Sequence, residues 1–208
     1  MSEPDIPTRR PRHWLEYIST VVAVIISVSS LWVAIGSEKA NRQMVAASSW
    51  PILIVGSGNV GDNGQAEIIF RITNAGVGPA KVRTFELFYK GKPYPSSSAL
   101  MRACCDPHFQ DMTSPEQMQI AQWAFITGEV PGNVIRAGES QVFIRYGLHS
   151  EHANAWHALD AARQRDISYR VCYCSVFDEC WRNTITNKDR LDPVRVDTCP
   201  VPAVPYEE

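Results

Sequence analysis

"QAEIIFRITNAGVGPAKVRTFELFYKGKPY", residues 65–94, decides the fold class, because it holds two strand patterns joined by a glycine-rich bend. In the first pattern, four apolar residues at period two share one face: Ala66, Ile68, Phe70 and Ile72. The second pattern repeats the alternation before a turn at Gly91: Phe85, Leu87 and Tyr89. Alternation of this kind predicts strands with one buried face, as in an antiparallel sheet.

The flanking residues extend the same pattern. Upstream, residues 51–60 are separated from the first strand by "GDNG", whose Asn63-Gly64 pair suits a type I′ hairpin turn. Downstream, "VIRAGESQVFIRYGL" (134–148) and the hairpin of "ISYRVCYCSVF" with "CWRNTITN" (167–187) contain further short strands between turn signals. Such an arrangement predicts an antiparallel β-sandwich over residues 51–208.

Three segments interrupt or follow these strands. Residues 95–120 are irregular and predict a long insertion with one possible short helix. Ser150 is a plausible N-cap for a helix that places Trp156 and Leu159 on one face. The tail beyond Asp192 is rich in proline, so we expect it to run extended and to add at most an edge strand.

Two turn segments suggest a fold family. "TNAGVGPA" (73–80) follows an early strand and "IRAGESQ" (135–141) precedes a late one. In this strand and turn order, roughly residues 51–190 resemble the immunoglobulin-like sandwiches of bacterial envelope proteins. The resemblance implies the fold only, and no family function follows from it.

The amino-terminal part contains "YISTVVAVIISVSSLWVAIGS" (17–37), which has no charged residue. As a helix it is long enough to cross about 30 Å of hydrocarbon, so we predict a transmembrane helix over residues 14–36. A basic segment, residues 1–13, precedes it, and a juxtamembrane helical stalk, residues 37–50, follows. A cleaved signal peptide has a shorter apolar region and a small-x-small cleavage site, which favours a retained single-pass signal anchor here.

The predicted orientation rests on charge and on cysteine content. Three arginines precede the span, namely Arg9, Arg10 and Arg12. Two basic residues, Lys39 and Arg42, follow it. Basic residues favour the cytoplasmic side, and six cysteines suit an oxidising compartment. We therefore expect a cytoplasmic N-terminus and a periplasmic or extracellular C-terminal domain.

The predicted span also has one face of small residues, which we interpret as a helix-association face: Ser19, Ala23, Ser27, Ser30 and Ala34. Small residues at this spacing allow close packing of helices in lipid. The partners expected are thus the lipid bilayer and a protein partner or a second copy, reached through this helix.

All six cysteines are disulfide candidates: Cys104, Cys105, Cys172, Cys174, Cys180 and Cys199. If Asp178-Glu179 is a two-residue turn, Cys174 pairs with Asn183 and Cys180 lies on the opposite face of the hairpin. Bonds between neighbouring cysteines are disfavoured, since disulfides want Cα atoms about 5.5 Å apart. The expected pairing joins the Cys104/Cys105 loop to the Cys172/Cys174 strand and Cys180 to Cys199.

The alternative is a thiolate-rich metal site for zinc or Cu(I), with four ligands: Cys105, His108, Cys172 and Cys174. The Cys-x-x-Cys spacing of zinc ribbons and of thioredoxin-like redox centres does not occur in the chain. Disulfides are therefore the preferred interpretation, with buried free thiols as a further possibility, and no metal or other cofactor is expected.

Composition and motifs narrow the class of function. With 20 basic and 22 acidic residues the net charge is -2, so no basic surface favours nucleic acid. The sequence contains no nucleophile elbow, phosphate loop or His-Glu-x-x-His motif, so we expect no catalysis. The preferred hypothesis is an anchored interaction or structural subunit of a membrane or envelope assembly. The alternatives are a metal-binding or thiol-redox protein and a membrane-bound effector with a cytosolic sensing domain.

Overall fold

A computed structural model of the chain describes residues 13–109, 125–186 and 191–208. The chain divides into two compact units, Met1–Ala47 and Ser48–Glu208. The first unit consists, where described, of most of one long helix, α1 (His13–Ser48). The second unit holds the following elements in chain order: β1 (Leu53–Val60), β2 (Ala66–Asn74), β3 (Ala80–Tyr89), β4 (Lys92–Tyr94), α2 (Ser97–Cys104), β5 (Ile126–Thr127), β6 (Val134–Ile135), β7 (Ser140–Gly147), a 3₁₀ turn (Ser150–His152), α3 (Ala153–Arg165), β8 (Ile167–Cys174), β9 (Cys180–Ile185) and β10 (Val194–Val196).

The strands of the second unit form two sheets. One sheet has the order β1-β2-β7-β5, and the other has the order β10-β9-β8-β3-β4, with β6 also paired to β3. Every strand pairing described is antiparallel. The prediction of a mainly β, antiparallel domain after a long apolar helix is therefore confirmed.

Aromatic rings from both sheets form the centre of the hydrophobic core. Phe70 on β2 and Phe143 on β7 lie with their ring centroids 6.1 Å apart. Phe143 meets Phe85 on β3 edge to face at 5.2 Å. Phe85 is in turn 6.0 Å from Tyr169 on β8. Edge-to-face contacts of this kind add to the free energy gained by burying the rings, so they help to hold the two sheets together.

The predicted alternation along β2 is largely correct. Ile68, Phe70 and Ile72 are fully buried, whereas Ala66 at the start of the strand is exposed. The strand ends on a buried polar residue, Asn74, which the sequence reasoning did not single out.

Asn74 joins three separate segments through its side chain. The side-chain oxygen accepts hydrogen bonds from the backbone N–H groups of Ile52, at 3.2 Å, and Gly76, at 3.0 Å. The side-chain nitrogen donates to the backbone carbonyls of Gly78, at 2.8 Å, and Ile135, at 2.9 Å. All four hydrogen-bonding positions of the amide are thus used, which is what a buried polar side chain requires.

The glycine-rich bend after Asn74 lies directly against the backbone that enters the domain. A Cβ atom at Gly78 would overlap the backbone of Ser49, and one at Gly76 would overlap the carbonyl group of Trp50. The valine between the two glycines is exposed. Glycine is therefore required at these two positions by close approach of backbones.

The turn types differ from prediction. Asn63 does not have a positive φ, and its side chain accepts a hydrogen bond from the Gln65 N–H at 3.1 Å, so the predicted type I′ turn is wrong there. Two consecutive positive φ values, 50° at Lys90 and 77° at Gly91, occur instead between β3 and β4. A two-residue connection with this geometry is the type I′ hairpin turn.

Among the described residues of the domain, α2 lies in the insertion, where one possible short helix was expected, and α3 lies where a helix was predicted after Ser150. The N-cap of α2 is Ser96, whose side chain accepts a hydrogen bond from the Ala99 N–H at 3.2 Å. A 3₁₀ turn precedes α3, so Ser150 is not the N-cap of that helix. Trp156 and Leu159, which were predicted to share one face of the helix, are both buried.

The tail contributes more than the edge strand that was expected. β10 pairs with β9 at the sheet edge, which confirms the predicted strand. Further along, Tyr206 is only 3% exposed, and its ring meets that of Phe85 edge to face at 5.1 Å. Its hydroxyl lies 2.7 Å from Ser97 Oγ and donates to the Glu208 carboxylate at 3.0 Å. Burial raises the pKa of Tyr206 well above its ordinary value.

Candidate functional site

Four cysteines lie together at one end of the β8–β9 hairpin. Cys172 is bonded to Cys199 of the tail, with their Cα atoms 5.7 Å apart. Cys174 is bonded to Cys180, with a Cα distance of 4.0 Å. The Sγ atoms of Cys174 and Cys199, which belong to different disulfides, are only 4.0 Å apart. The two disulfides therefore lie side by side.

The register of the hairpin explains the Cys174–Cys180 bond. Cys174 lies directly opposite Cys180, whereas the prediction placed Asn183 there, a register difference of three residues (183 − 180). Because side chains alternate between faces, an odd shift in register moves every side chain of a strand to the other face. Cys180 therefore shares a face with Cys174, and the prediction that they lie on opposite faces is wrong.

The connection between the two strands causes this shift. It is not the predicted two-residue turn but residues 175–179. The Ser175 N–H donates to the Glu179 carbonyl at 2.8 Å, and the Asp178 N–H donates to the Ser175 carbonyl at 3.2 Å. Asp178 has a φ of 59°, a conformation that aspartate accepts more readily than most side chains.

Ion pairs connect this turn to its neighbours. The Asp178 carboxylate accepts hydrogen bonds from Lys81 Nζ and, at 3.4 Å, from the Arg83 guanidinium, both on β3. The hydrogen bond from Lys81 is the main reason that the pKa of Asp178 lies below its ordinary value. Glu179 pairs with Arg195 of β10 at 2.7 Å. Because the aspartate is fully exposed, these contacts orient the turn more than they stabilise it.

The predicted disulfide connectivity is wrong. We expected the Cys104/Cys105 loop to be joined to the β8 cysteines and Cys180 to Cys199, but the third bond joins Cys104 to Cys105, whose Cα atoms are 3.7 Å apart. The prediction excluded neighbours on the usual Cα spacing. Here α2 ends at Cys104, and Cys105 leaves the helical conformation with φ −134° and ψ −43°. The coarser expectation is confirmed, since all six cysteines lie at disulfide distance.

An aromatic cluster backs the cysteines on the opposite face of β8. Tyr173 is fully buried and stacks on Trp181 of β9 at 6.2 Å, and Trp181 in turn lies 6.4 Å from Trp50. The Tyr173 hydroxyl faces the backbone of Leu53 without reaching hydrogen-bond geometry to any described residue. Burial raises the pKa of Tyr173 to about 12, so this phenol stays neutral. The sequence signal was the alternation of cysteine and tyrosine in "CYC".

Metal-ligand geometry is found in only one place among the described residues. The Sγ atoms of Cys174, Cys180 and Cys199 all lie within 4.8 Å of one another. The structure does not bring together the alternative set predicted from sequence: Cys105, His108, Cys172 and Cys174. Cys105 is bonded to its neighbour at the end of α2, and His108 is exposed in the turn that follows.

The helix α1 is the second functional feature, considered by itself. Its apolar residues from 14 to 35 are exposed, and its length and composition fit a membrane anchor or a signal sequence. Glu16 and Glu38 flank its uncharged stretch. The arginines on which the predicted orientation rests lie outside the described residues: Arg9, Arg10 and Arg12.

The predicted helix-association face of α1 is exposed along its length. Two of its hydroxyls bond the helix's own backbone, Ser19 Oγ to the Glu16 carbonyl and Ser27 Oγ to the Ala23 carbonyl. Hydroxyls that are already hydrogen-bonded within the helix do not oppose burial against another helix. The association itself stays a prediction.

Comparison with known proteins assigns no class to this arrangement: no protein-family model matches the chain, and no curated protein matches its sequence.

Proposed function

We propose that this chain is a single-pass membrane protein, anchored by α1, with its β domain outside the cytoplasm. There the domain acts as an interaction or structural subunit of a membrane or envelope assembly and carries out no catalysis. The observation that carries the proposal is the pairing of every cysteine in a disulfide, in a chain that also has a long, exposed apolar helix. Disulfides persist in oxidising compartments, and an anchor of this kind places a domain in one.

The arrangement of the domain supports a binding role. Two antiparallel sheets with a shared core, entered from the anchor through the segment that Asn74 holds, are compatible with an immunoglobulin-like sandwich. Sandwiches of this type present loops at their two ends, and such loops can form a binding surface. The disulfides fasten the tail and the β8–β9 hairpin, which keeps one such end rigid.

The redox state of the cysteines in cells tests the placement. Cells expressing the full chain are quenched with acid, free thiols are blocked with one alkylating reagent, and the protein is then reduced and labelled with a second. We expect the second reagent to label all six cysteines. The matched control is a chain lacking residues 14–36, which remains in the cytosol and should take up only the first reagent.

A full chain that takes up the first reagent at every cysteine would place the domain in the cytosol and refute the proposal. The same measurement separates the proposal from the rival of a cytosolic sensing domain. Reporter fusions after Glu208 check the outcome independently, because alkaline phosphatase is active only outside the cytoplasm.

Association through α1 is tested separately. Leucine at Ser27 and Ala34 adds bulk to the association face, and we expect it to lower the fraction of chains that can be crosslinked as dimers or with a partner in membranes. Val22→Leu, on another face of the helix, is the control and should leave crosslinking unchanged. Equal crosslinking in both variants would show that this face does not mediate association.

A further inference from the structure

We propose that Cys172, Cys174, Cys180 and Cys199, in their reduced state, form a tetrahedral zinc site with four thiolate ligands. This inference goes beyond the proposed function, which concerns where the oxidised domain lies and what it binds. It rests on the positions of the four sulfur atoms and on the strands that hold them.

Three of the four sulfur positions already fit the dimensions of such a site. With zinc–sulfur bonds of about 2.3 Å, the sulfur atoms of a tetrahedral site lie about 3.8 Å apart. The Sγ atoms of Cys174 and Cys199 are not bonded to each other and already lie 4.0 Å apart. Those of Cys174, Cys180 and Cys199 all lie within 4.8 Å of one another. The Cys172 Sγ atom is bonded to that of Cys199 but lies outside this group of three, so Cys172 is the ligand that must move toward Cys174 and Cys180.

Little movement separates the two states. In a disulfide the sulfur atoms are about 2 Å apart, so each bonded pair must open by less than about 2 Å to reach the tetrahedral spacing. Side-chain rotation about the Cα–Cβ bonds supplies such a shift and also brings the Cys172 sulfur toward those of Cys174 and Cys180. Cys172 and Cys174 lie on β8, paired between β3 and β9, so the backbone that presents these ligands is held on both sides.

The surroundings also suit a closed structural site. Cys172, Cys174 and Cys180 are 1%, 3% and 6% exposed, and Cys199 is half-buried. A tetrahedral site with four protein ligands has no open position for water. Zinc with four thiolates carries a net charge of −2, and basic residues lie opposite the ligands in the sheet. Lys81 is the cross-strand partner of Cys174, and Arg182 is that of Cys172.

Zinc binding to the reduced chain involves no change of oxidation state, whereas formation of the disulfides needs an oxidant. The chain leaves the ribosome with its cysteines as thiols, and binding of Zn²⁺ releases one proton from each of the four ligands. Later oxidation to two disulfides removes four electrons from the four sulfurs and releases the metal, with the cell's disulfide-donating oxidant as electron acceptor. In vitro, a water-soluble phosphine reverses this step: each disulfide yields two thiols while the phosphine takes oxygen from water.

The experiment uses the purified full chain in detergent. The protein is reduced with the phosphine without air, separated from it, and titrated with zinc against a coloured chelator. We expect one zinc per reduced chain and none per oxidised chain. Co²⁺ should give the visible spectrum of a tetrahedral thiolate site. Cys180→Ser and Cys199→Ser should each abolish binding at the chelator's competing concentration.

The control variant carries serine at Cys104 and Cys105, the pair outside the site, and should bind zinc as the parent chain does. Cys199→His distinguishes loss of a ligand from loss of folding. Imidazole is also a zinc ligand, so this variant should restore the binding that serine removes. Absence of zinc from the reduced parent chain would overturn the proposal, as would equal binding by the Cys199→Ser and control variants. Because no cell compartment enters this experiment, its failure leaves the proposed placement untouched.

Discussion

Replacement of Asn74 by alanine should be among the most destabilising single changes in the domain. The substitution removes four hydrogen bonds, two accepted by the side-chain oxygen and two donated by the nitrogen. A net contribution of about 1 kcal/mol for each bond gives a loss of about 4 kcal/mol in the free energy of unfolding. Since domains are typically stable by only about 5–15 kcal/mol, the variant should lose a large part of its stability.

The measurement is guanidinium-induced unfolding of the full chain in detergent, with the disulfides intact, followed by circular dichroism. The matched control is Asn63→Ala, which removes one exposed hydrogen bond, to the Gln65 N–H, and should cost less than about 1 kcal/mol. Both variants delete the same side chain, so the difference between them reports the burial and the number of bonds at Asn74. If the two variants unfold at the same guanidinium concentration, the Asn74 side chain does not hold the entry segment, the bend and β6 together.

Three further outcomes are expected. Replacing both Cys172 and Cys199 by serine removes a disulfide between residues that are 27 apart in sequence. Because the unfolded chain then gains conformational freedom, the free energy of unfolding should fall by about 3.5 kcal/mol in denaturant titrations under oxidising conditions. A fall of less than about 1 kcal/mol would contradict this. Tyr206→Phe should cost about 1–2 kcal/mol in the same assay, because it leaves a buried serine hydroxyl without its partner, and an unchanged midpoint would show that the tail does not contribute. Lys81→Ala should raise the pKa of Asp178 toward its ordinary value, as seen by NMR titration. The lowered pKa of Asp178 stabilises the fold at pH values above the unfolded-state pKa of this aspartate. This stabilisation is lost as the pH falls through the folded-state pKa. The stability of the Lys81→Ala variant should therefore depend less on pH in the acidic range.

The strands and the apolar helix could be predicted because each depends on local periodicity. The alternation at Ile68, Phe70 and Ile72 has only one arrangement in which the apolar side chains are buried, and the structure has that arrangement. The edge strand in the tail could be predicted for a different reason: proline has no backbone N–H to donate, which confines a proline-rich segment to the edge of a sheet. Turn types were less predictable. Both Asn63-Gly64 and Lys90-Gly91 end in glycine, which accepts a positive φ, but only Lys90-Gly91 has positive φ at both positions. The strands that flank each pair decide which one adopts the type I′ geometry.

The disulfide pairing could not be predicted from local sequence patterns. Two hydrogen bonds within the turn between Ser175 and Glu179 set its length, and this length places Cys180 opposite Cys174. A turn shorter by three residues would place Cys180 on the opposite face from Cys174, as the prediction had it. Asn74 is similar, since its four partners come from segments up to 61 residues away in sequence.

The amino-acid sequence by itself thus determined that a long apolar helix precedes an antiparallel β domain with six cysteines, because hydrophobic periodicity and composition act over a few residues at a time. The tertiary structure alone decided which sulfurs meet, which asparagine is buried and where the tail is fastened. Those features depend on strand register and on contacts between distant segments, and a change of one or three residues in a turn reverses them without altering any local pattern.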